Sequence, residues 1–197
     1  MRDLENRTAF ADLRSVGVGD GVIAIERTGF AAAAVIARRG RSAELSAAVK
    51  DAFDIELPTG PQWRGKDGVT MLATGAGKWL ALSRAPSDDF VKKLATALRG
   101  ASVVDQTDGI GIIRLSGHAL FATLEKGVQL DIDPETFVAG CAAVTNVAHI
   151  GATIWKVDDA PTFDVAVARS LAGSFQHWLE TSAGAYGLTV HRRPERD

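Results

Sequence analysis

The sequence predicts an α+β domain in which antiparallel sheets carry helices on one face. Short apolar runs flank turn residues, which is typical of β-hairpins, and amphipathic segments with a helical period follow them. This hairpin-helix unit recurs about every 45–50 residues, so we expect duplicated α+β halves. The copies are too few for a solenoid.

The first unit comprises a hairpin and a helix. Apolar runs at residues 22–25 and 31–37 surround an Arg-Thr-Gly turn, which predicts a hairpin. A helix is predicted over residues 42–53, with Ser42 as its N-cap and an apolar stripe of Leu45, Val49 and Phe53. Turn formers at residues 57–61 are expected to link this unit to the next.

The second unit has the clearest helix end signals. A hairpin is predicted over residues 69–83, followed by a helix that Ser87 opens and Gly100 ends. Asp88 and Asp89 occupy its first turn, where the helix dipole favours acidic groups. Its buried stripe is predicted to consist of Phe90, Leu94 and Leu98.

The third unit repeats this order. Residues 101–105 and 110–115 are predicted to pair as a hairpin around Asp108-Gly109, and residues 116–126 form a short helix.

The last unit begins with two strands within residues 141–157, which Gly151 is expected to divide. An alternating strand follows at residues 163–168. A helix over residues 170–186 completes the unit, and its apolar face carries Leu171, Phe175, Trp178 and Leu179.

Composition favours a cytoplasmic protein without nucleic-acid partners. The 22 basic and 24 acidic residues nearly balance, so no basic footprint for nucleic acid is indicated. Cys141 is the single cysteine, which excludes an internal disulfide and suits a reducing compartment. Residues 1–20 lack the apolar core of a signal peptide, and no apolar run approaches a membrane span. We expect a flexible segment at residues 1–20, one domain at 21–188 and a basic tail at 189–197.

The motifs predict neither catalytic nor metal-binding residues. Gly75-Ala76-Gly77-Lys78 lacks the spacing of a phosphate loop and is predicted to be a hairpin turn. The four histidines are scattered, with no pair at metal-ligand spacing, and Cys141 is expected to be a packing thiol. Asp131 and Asp133 stand beside Pro134 and are predicted to form a turn.

Trp63 and Arg64 are the candidate interface residues. They stand in a loop of turn formers, PQWRG, where an aromatic ring is hard to bury within its own small domain. Trp and Arg are also frequent anchors of protein–protein interfaces.

An ordered series of motifs resembles the gamma subunit family of heterotetrameric sarcosine oxidase. The resemblance spans roughly residues 22–187. It rests on residues 77–83 and 108–119, and on Lys126-Gly127, Asp131-Ile132-Asp133-Pro134, Phe137, Gly140, Trp155-Lys156, Arg169-Ser170 and Trp178-Leu179.

The resemblance implies both a fold and a function. The implied fold is similar to the folate-binding domain of glycine-cleavage aminomethyltransferases, with two interleaved ferredoxin-like halves. The implied role is a non-catalytic subunit of an assembly that oxidatively demethylates sarcosine to glycine. Hydrogen peroxide forms, and the one-carbon fragment leaves as formaldehyde or on tetrahydrofolate. No cofactor is expected in this chain; FAD, FMN, NAD, tetrahydrofolate and zinc are implied for the partner alpha, beta and delta subunits.

A stand-alone folate-binding protein of the aminomethyltransferase-like class is the alternative. In those relatives a G-[FY]-E-[IV] strand supplies an acid that hydrogen-bonds the pterin, whereas this chain has Thr162-Phe163-Asp164-Val165. The related iron-sulfur-assembly branch carries Lys-Gly-Cys where this chain has Lys126-Gly127-Val128. Asp164 is therefore the candidate folate ligand; the other interpretation makes it an exposed strand position.

Overall fold

The computed structural model describes residues 7–84 and 89–192. In chain order, the elements are β1 (Val22–Arg27), β2 (Ala31–Ala37), α1 (Ser42–Phe53), β3 (Trp63–Lys66), β4 (Val69–Gly75), β5 (Lys78–Ser83), α2 (Phe90–Ala97), β6 (Ala101–Asp105), β7 (Ile110–Ser116), α3 (Leu120–Leu124), β8 (Ala142–Val147), β9 (Ile150–Lys156), β10 (Thr162–Ala168), α4 (Ala172–Ala183) and β11 (Leu188–His191). A short 3₁₀ turn, Arg169–Leu171, precedes α4.

The strands form two sheets, which confirms the predicted α+β class. Sheet A has six strands in the order β11-β1-β7-β10-β9-β8, and sheet B has five in the order β3-β4-β5-β2-β6. Neighbouring strands are antiparallel except for β1 and β11, which run parallel.

Three apolar clusters divide the core into layers. One lies between sheet A and the helices α3 and α4, and it includes Phe163 and Phe175. A second lies between sheet B and the helices α1 and α2, and it includes Leu45 and Leu94. The third joins the facing sides of the two sheets: Ala32, Leu72, Leu80, Ile112, Ala142, Trp155 and Ala166. The layers therefore run helix, sheet, sheet, helix.

Two of the predicted hairpins are wrong because consecutive strands enter different sheets. β1 pairs with β7 and β11 in sheet A, whereas β2 pairs with β5 and β6 in sheet B. The β6 and β7 strands are likewise split between the sheets. Residue periodicity shows which side chains are buried but not which strand pairs with which. This exchange is the interleaving of halves that the family resemblance implies.

Several elements appear where the sequence predicts them. The helix over residues 42–53 is confirmed, and β4 and β5 form the predicted hairpin around residues 75–78. Phe90, Leu94 and Leu98 are buried as expected. Ser87 and Asp88, the predicted start of α2, lie outside the described residues. On α4, Phe175 and Leu179 are buried, whereas Leu171 is 40% exposed because the helix begins one residue after it.

The turn between β8 and β9 lies before the predicted position. Ala148 and His149 form it, with φ values of 48° and 70°, and Gly151 lies inside β9. A two-residue hairpin loop with positive φ at both positions matches the right-handed twist of the strands, which explains the location. The sequence lacks the Asn-Gly or Asp-Gly signal that would have marked it.

The edge strand β3 is tied to the end of α1. Helix α1 ends at Phe53; its C-cap residue Asp54 has a left-handed φ of 51°, and the Asp54 N–H makes the last helical hydrogen bond, to the carbonyl of Lys50. Hydrogen bonds and charge from Lys50 and Lys66 lower the pKa of Asp54 to about 2. Because Lys66 belongs to β3, this exposed ion pair links the strand that carries Trp63 to the end of α1.

The predicted domain limits at residues 21 and 188 stay a prediction. Residues before position 21 and after position 188 also pack against the domain. Phe10 and Leu13 are buried against sheet A, and Val16 bridges to Leu188. Residues 189–191 belong to β11. None of the helices in the described ranges is long and apolar enough to cross a membrane.

We predict that a loop suited to positive φ will stabilise the β8–β9 turn. Replacing Ala148 by Asn and His149 by Gly should raise the free energy of unfolding by about 1 kcal/mol, because both residues tolerate left-handed backbone better than the native pair. Urea unfolding measures the change. Ala143→Gly, within β8, is the control and should destabilise the chain. A lower stability for the turn variant would contradict the assigned turn.

Candidate functional site

A cavity of about 110 Å³ lies between the facing sides of the two sheets. Sheet A and sheet B both contribute to it. Its walls contain three aromatic side chains, several hydroxyl groups and four charged side chains: Phe30, Trp63, Trp155, Thr28, Thr70, Ser83, Arg27, Arg84, Arg114 and Asp164, together with Gly68, Leu82, Ile112 and Val157. This combination of flat apolar walls and charge marks it as the candidate binding site of the chain.

The strand register places the polar residues of the cavity next to each other. Asp164 lies on β10 directly opposite Arg114 of β7 on one side and Trp155 of β9 on the other. Side chains that oppose each other across antiparallel strands are close enough to interact. Because alternate residues of β10 point to opposite faces, Phe163 and Val165 pack toward the helices, whereas Asp164 points toward sheet B.

Arg114 and Asp164 form a two-pronged ion pair. Arg114 Nε donates to Asp164 Oδ1 at 2.8 Å, and Arg114 Nη2 donates to Asp164 Oδ2 at 3.0 Å. The side chains are 15% and 8% exposed, respectively. The interpretation of Asp164 as an exposed strand position is therefore wrong. The parallel donors of a guanidinium match the two oxygens of a carboxylate, so both oxygens of Asp164 are engaged.

Trp63 lies at the border between sheet A and sheet B. It is half-buried on β3 and packs against the inter-sheet cluster. Its backbone N–H donates to the carbonyl of Gly140 at 2.8 Å, and its indole Nε1 donates to the carbonyl of Lys156 at 2.8 Å. The chain thus uses part of this ring in its own fold, contrary to the expectation that it is hard to bury there.

Arg64 follows Trp63 and is exposed. Its Nη1 donates to the carbonyl of Trp63 at 2.9 Å, and its Nη2 donates to Gln62 Oε1 at 2.9 Å. These bonds hold the guanidinium against the edge strand without burying it. The role of Trp63 and Arg64 in an interface stays a prediction.

The remaining motif residues take part in turns and packing. Asp131 Oδ1 accepts from the N–H of Asp133 at 3.0 Å, and Asp133 Oδ1 accepts from the N–H of Glu135 at 2.8 Å, as the predicted turn requires. Cys141 is half-buried and packs at the border of the sheet A core. Within the described ranges, no three or more His, Cys, Asp or Glu side chains are grouped to hold a metal ion.

Arg114 and Lys156 lie within the family motifs, but neither residue was assigned a role from the sequence. Arg114 interrupts an apolar strand on the face that also carries Ile112, and that interruption was the available signal. Lys156 is 3% exposed and donates to the carbonyls of Asp158, at 2.8 Å, and Ala160. It closes the loop between β9 and β10, which no residue pattern indicated.

Comparisons with known proteins identify relatives of this fold. The model of the family described as sarcosine oxidase, gamma subunit, matches residues 39–185. A chain of the heterotetrameric sarcosine oxidase from Corynebacterium sp. U-96, solved in complex with pyrrole 2-carboxylate, superposes with a TM-score of 0.79 at 21% identity; the alignment covers 91% of this chain and 96% of that one. No curated protein matches the chain significantly.

A second solved structure shares the fold at greater distance. The glycine cleavage system aminomethyltransferase T from Bartonella henselae gives a TM-score of 0.57 at 9% identity, covering 86% of this chain and 47% of that one. The two matches and the family model confirm the resemblance seen in the ordered motifs.

We predict that removing one member of the Arg114–Asp164 pair destabilises the fold more than replacing both members. Asp164→Leu should lower the free energy of unfolding by about 3 kcal/mol, because the guanidinium of Arg114 loses its carboxylate in the inter-sheet layer. Combining Asp164→Leu with Arg114→Met should recover most of this loss, since an apolar pair replaces both charges. Urea unfolding compares the proteins. A double variant no more stable than Asp164→Leu would contradict this account.

Proposed function

Since the chain belongs to the sarcosine oxidase gamma subunit family, we propose that it is a non-catalytic subunit of a heterotetrameric sarcosine oxidase. The observation that carries the proposal is the family match over residues 39–185, which is most of the chain. The likeness to a chain of a heterotetrameric sarcosine oxidase, aligned over 96% of that chain, supports the same role.

The proposed assembly demethylates sarcosine oxidatively. Glycine and hydrogen peroxide are its products, and the one-carbon unit leaves as formaldehyde or on tetrahydrofolate. In this proposal alpha, beta and delta subunits hold FAD, FMN, NAD, tetrahydrofolate and zinc. The present chain supplies packing surface and rigidity. A cytoplasmic location is proposed with it, because the single cysteine suits a reducing compartment.

The residues around the cavity do not fit tetrahydrofolate. Each oxygen of Asp164 already accepts a hydrogen bond from Arg114, so a pterin that used the same two parallel acceptor positions would have to displace the guanidinium. The cavity of about 110 Å³ is also below the roughly 300–1,000 Å³ of small-molecule sites. These observations favour the subunit role over a stand-alone folate-binding protein, and we assign folate to a partner subunit.

We predict that the purified chain has no flavin and forms no peroxide from sarcosine. Proteins contribute binding and orientation to redox reactions, while the cofactor carries the electrons, so activity should require the flavin-bearing partners. Co-expression with them should yield sarcosine-dependent peroxide, measured by a coupled peroxidase assay. A yellow preparation of the single chain, or turnover by it, would contradict the proposed role.

We also predict that Arg64→Ala weakens assembly without altering the isolated chain. Arg64 is exposed, so its removal should leave the melting temperature nearly unchanged, whereas loss of an interface anchor costs on the order of 2 kcal/mol of binding. Arg39→Ala, also at an exposed arginine, is the matched control. Trp63→Ala should affect both stability and assembly, because the ring is half-buried at the border between the sheets. Equal assembly by wild type and Arg64→Ala, measured by gel filtration of co-expressed subunits at low concentration, would remove Arg64 from the interface.

A further inference from the structure

We propose that the carboxylate of Asp164 is a cation-binding site in the inter-sheet cavity and that the guanidinium of Arg114 fills it. Arg114 thereby excludes other planar cations that have two parallel N–H donors. The ligand class is that of amidinium and guanidinium ions. This inference goes beyond the subunit role, because it concerns the cavity of the chain itself and does not depend on assembly.

The geometry of the ion pair is the first support. A carboxylate that accepts two N–H groups in one plane is a receptor for any ligand edge with that pair of donors. Arg114 presents such an edge to Asp164 through Nε and Nη2, at 2.8 and 3.0 Å. The side chain therefore makes the contacts that a bound guanidinium ion would make.

The surroundings of the pair are the second support. Trp63, Trp155 and Phe30 line the same cavity as Arg114 and Asp164. Flat aromatic faces suit a planar cation, which gains from both contact area and the ring quadrupole. A flat group larger than guanidinium could use these walls once Arg114 is shortened.

The position of the strands is the third support. Arg114 belongs to β7, which lies between β1 and β10, and Asp164 belongs to β10, which lies between β7 and β9. Both backbones are held by ladders on two sides, so truncating Arg114 should enlarge the cavity rather than let the strands close over it. Asp164 would then keep its place without the two-pronged contact of Arg114, while Arg27 and Arg84 remain in the cavity wall.

Methylguanidinium and benzamidine are the probes that test this proposal on the full-length chain. Arg114→Ala should bind both, seen as a change in tryptophan fluorescence and a rise in melting temperature. Wild type should bind at least about tenfold more weakly, because Arg114 occupies the carboxylate. Methylammonium, a cation without paired planar donors, is the matched control ligand and should have little effect on either protein.

The double variant Arg114→Ala with Asp164→Asn separates this site from general cation binding. It lacks the carboxylate while keeping the enlarged cavity, and it should lose the response to both probes. Equal responses of the single and double variants, equal responses to methylammonium, or binding by wild type as tight as by Arg114→Ala would each overturn the proposal.

The proposal can also be tested if Arg114→Ala does not fold by itself. If the variant is recovered unfolded, methylguanidinium at millimolar concentration should restore its near-ultraviolet circular dichroism during refolding, and methylammonium should not. Failure of methylguanidinium to restore the folded state would overturn the proposal. The result is independent of the oxidase assembly, since no partner subunit takes part.

Discussion

The fold depends on the way in which the chain alternates between its two sheets. The links after β1 and after β6 both cross from one sheet to the other, so β1 pairs with β7 in sheet A while β2 pairs with β6 in sheet B. Sheet A therefore needs segments from both ends of the described chain, whereas all five strands of sheet B lie within residues 31–105. The layer between the sheets can form only when both sheets are present.

The layer between the sheets combines close packing with a charged pair. Ala32, Ala142 and Ala166 are buried in it, and their small side chains let the sheets approach each other. Arg114 and Asp164 border the cavity in the same layer. Burial of two charges is tolerated because each satisfies the other in a two-pronged contact, and the loss of either would leave an uncompensated charge. The same contact joins the neighbouring strands β7 and β10 and occupies part of the cavity wall.

Local sequence patterns predicted many of the helices and strands but not which strands pair with each other. Local signals identified α1, the β4–β5 turn and the buried stripe of Phe90, Leu94 and Leu98, because periodicity and turn chemistry act over a few residues. The crossing of strands between sheets has no local signature, and the resemblance to a known family was needed to predict it. The edge strands β3 and β11 were missed for a related reason, since each has only four residues and gains its order from neighbours distant in sequence.

In the candidate site, too, single residues could be predicted from the sequence, but their contacts with residues far away in the chain could not. Asp164 could be singled out from its strand, but its burial depends on Arg114, which is fifty residues away in the chain. Trp63 could be recognised as an unusual residue among turn formers, while its hydrogen bond to Lys156 reaches across ninety-three residues. The parallel pairing of β1 with β11 extends this dependence to the order of synthesis. Strand β1 is synthesised before β11 and lacks this neighbour until residues 188–191 have been made, so in that interval its open edge is available to other nascent chains.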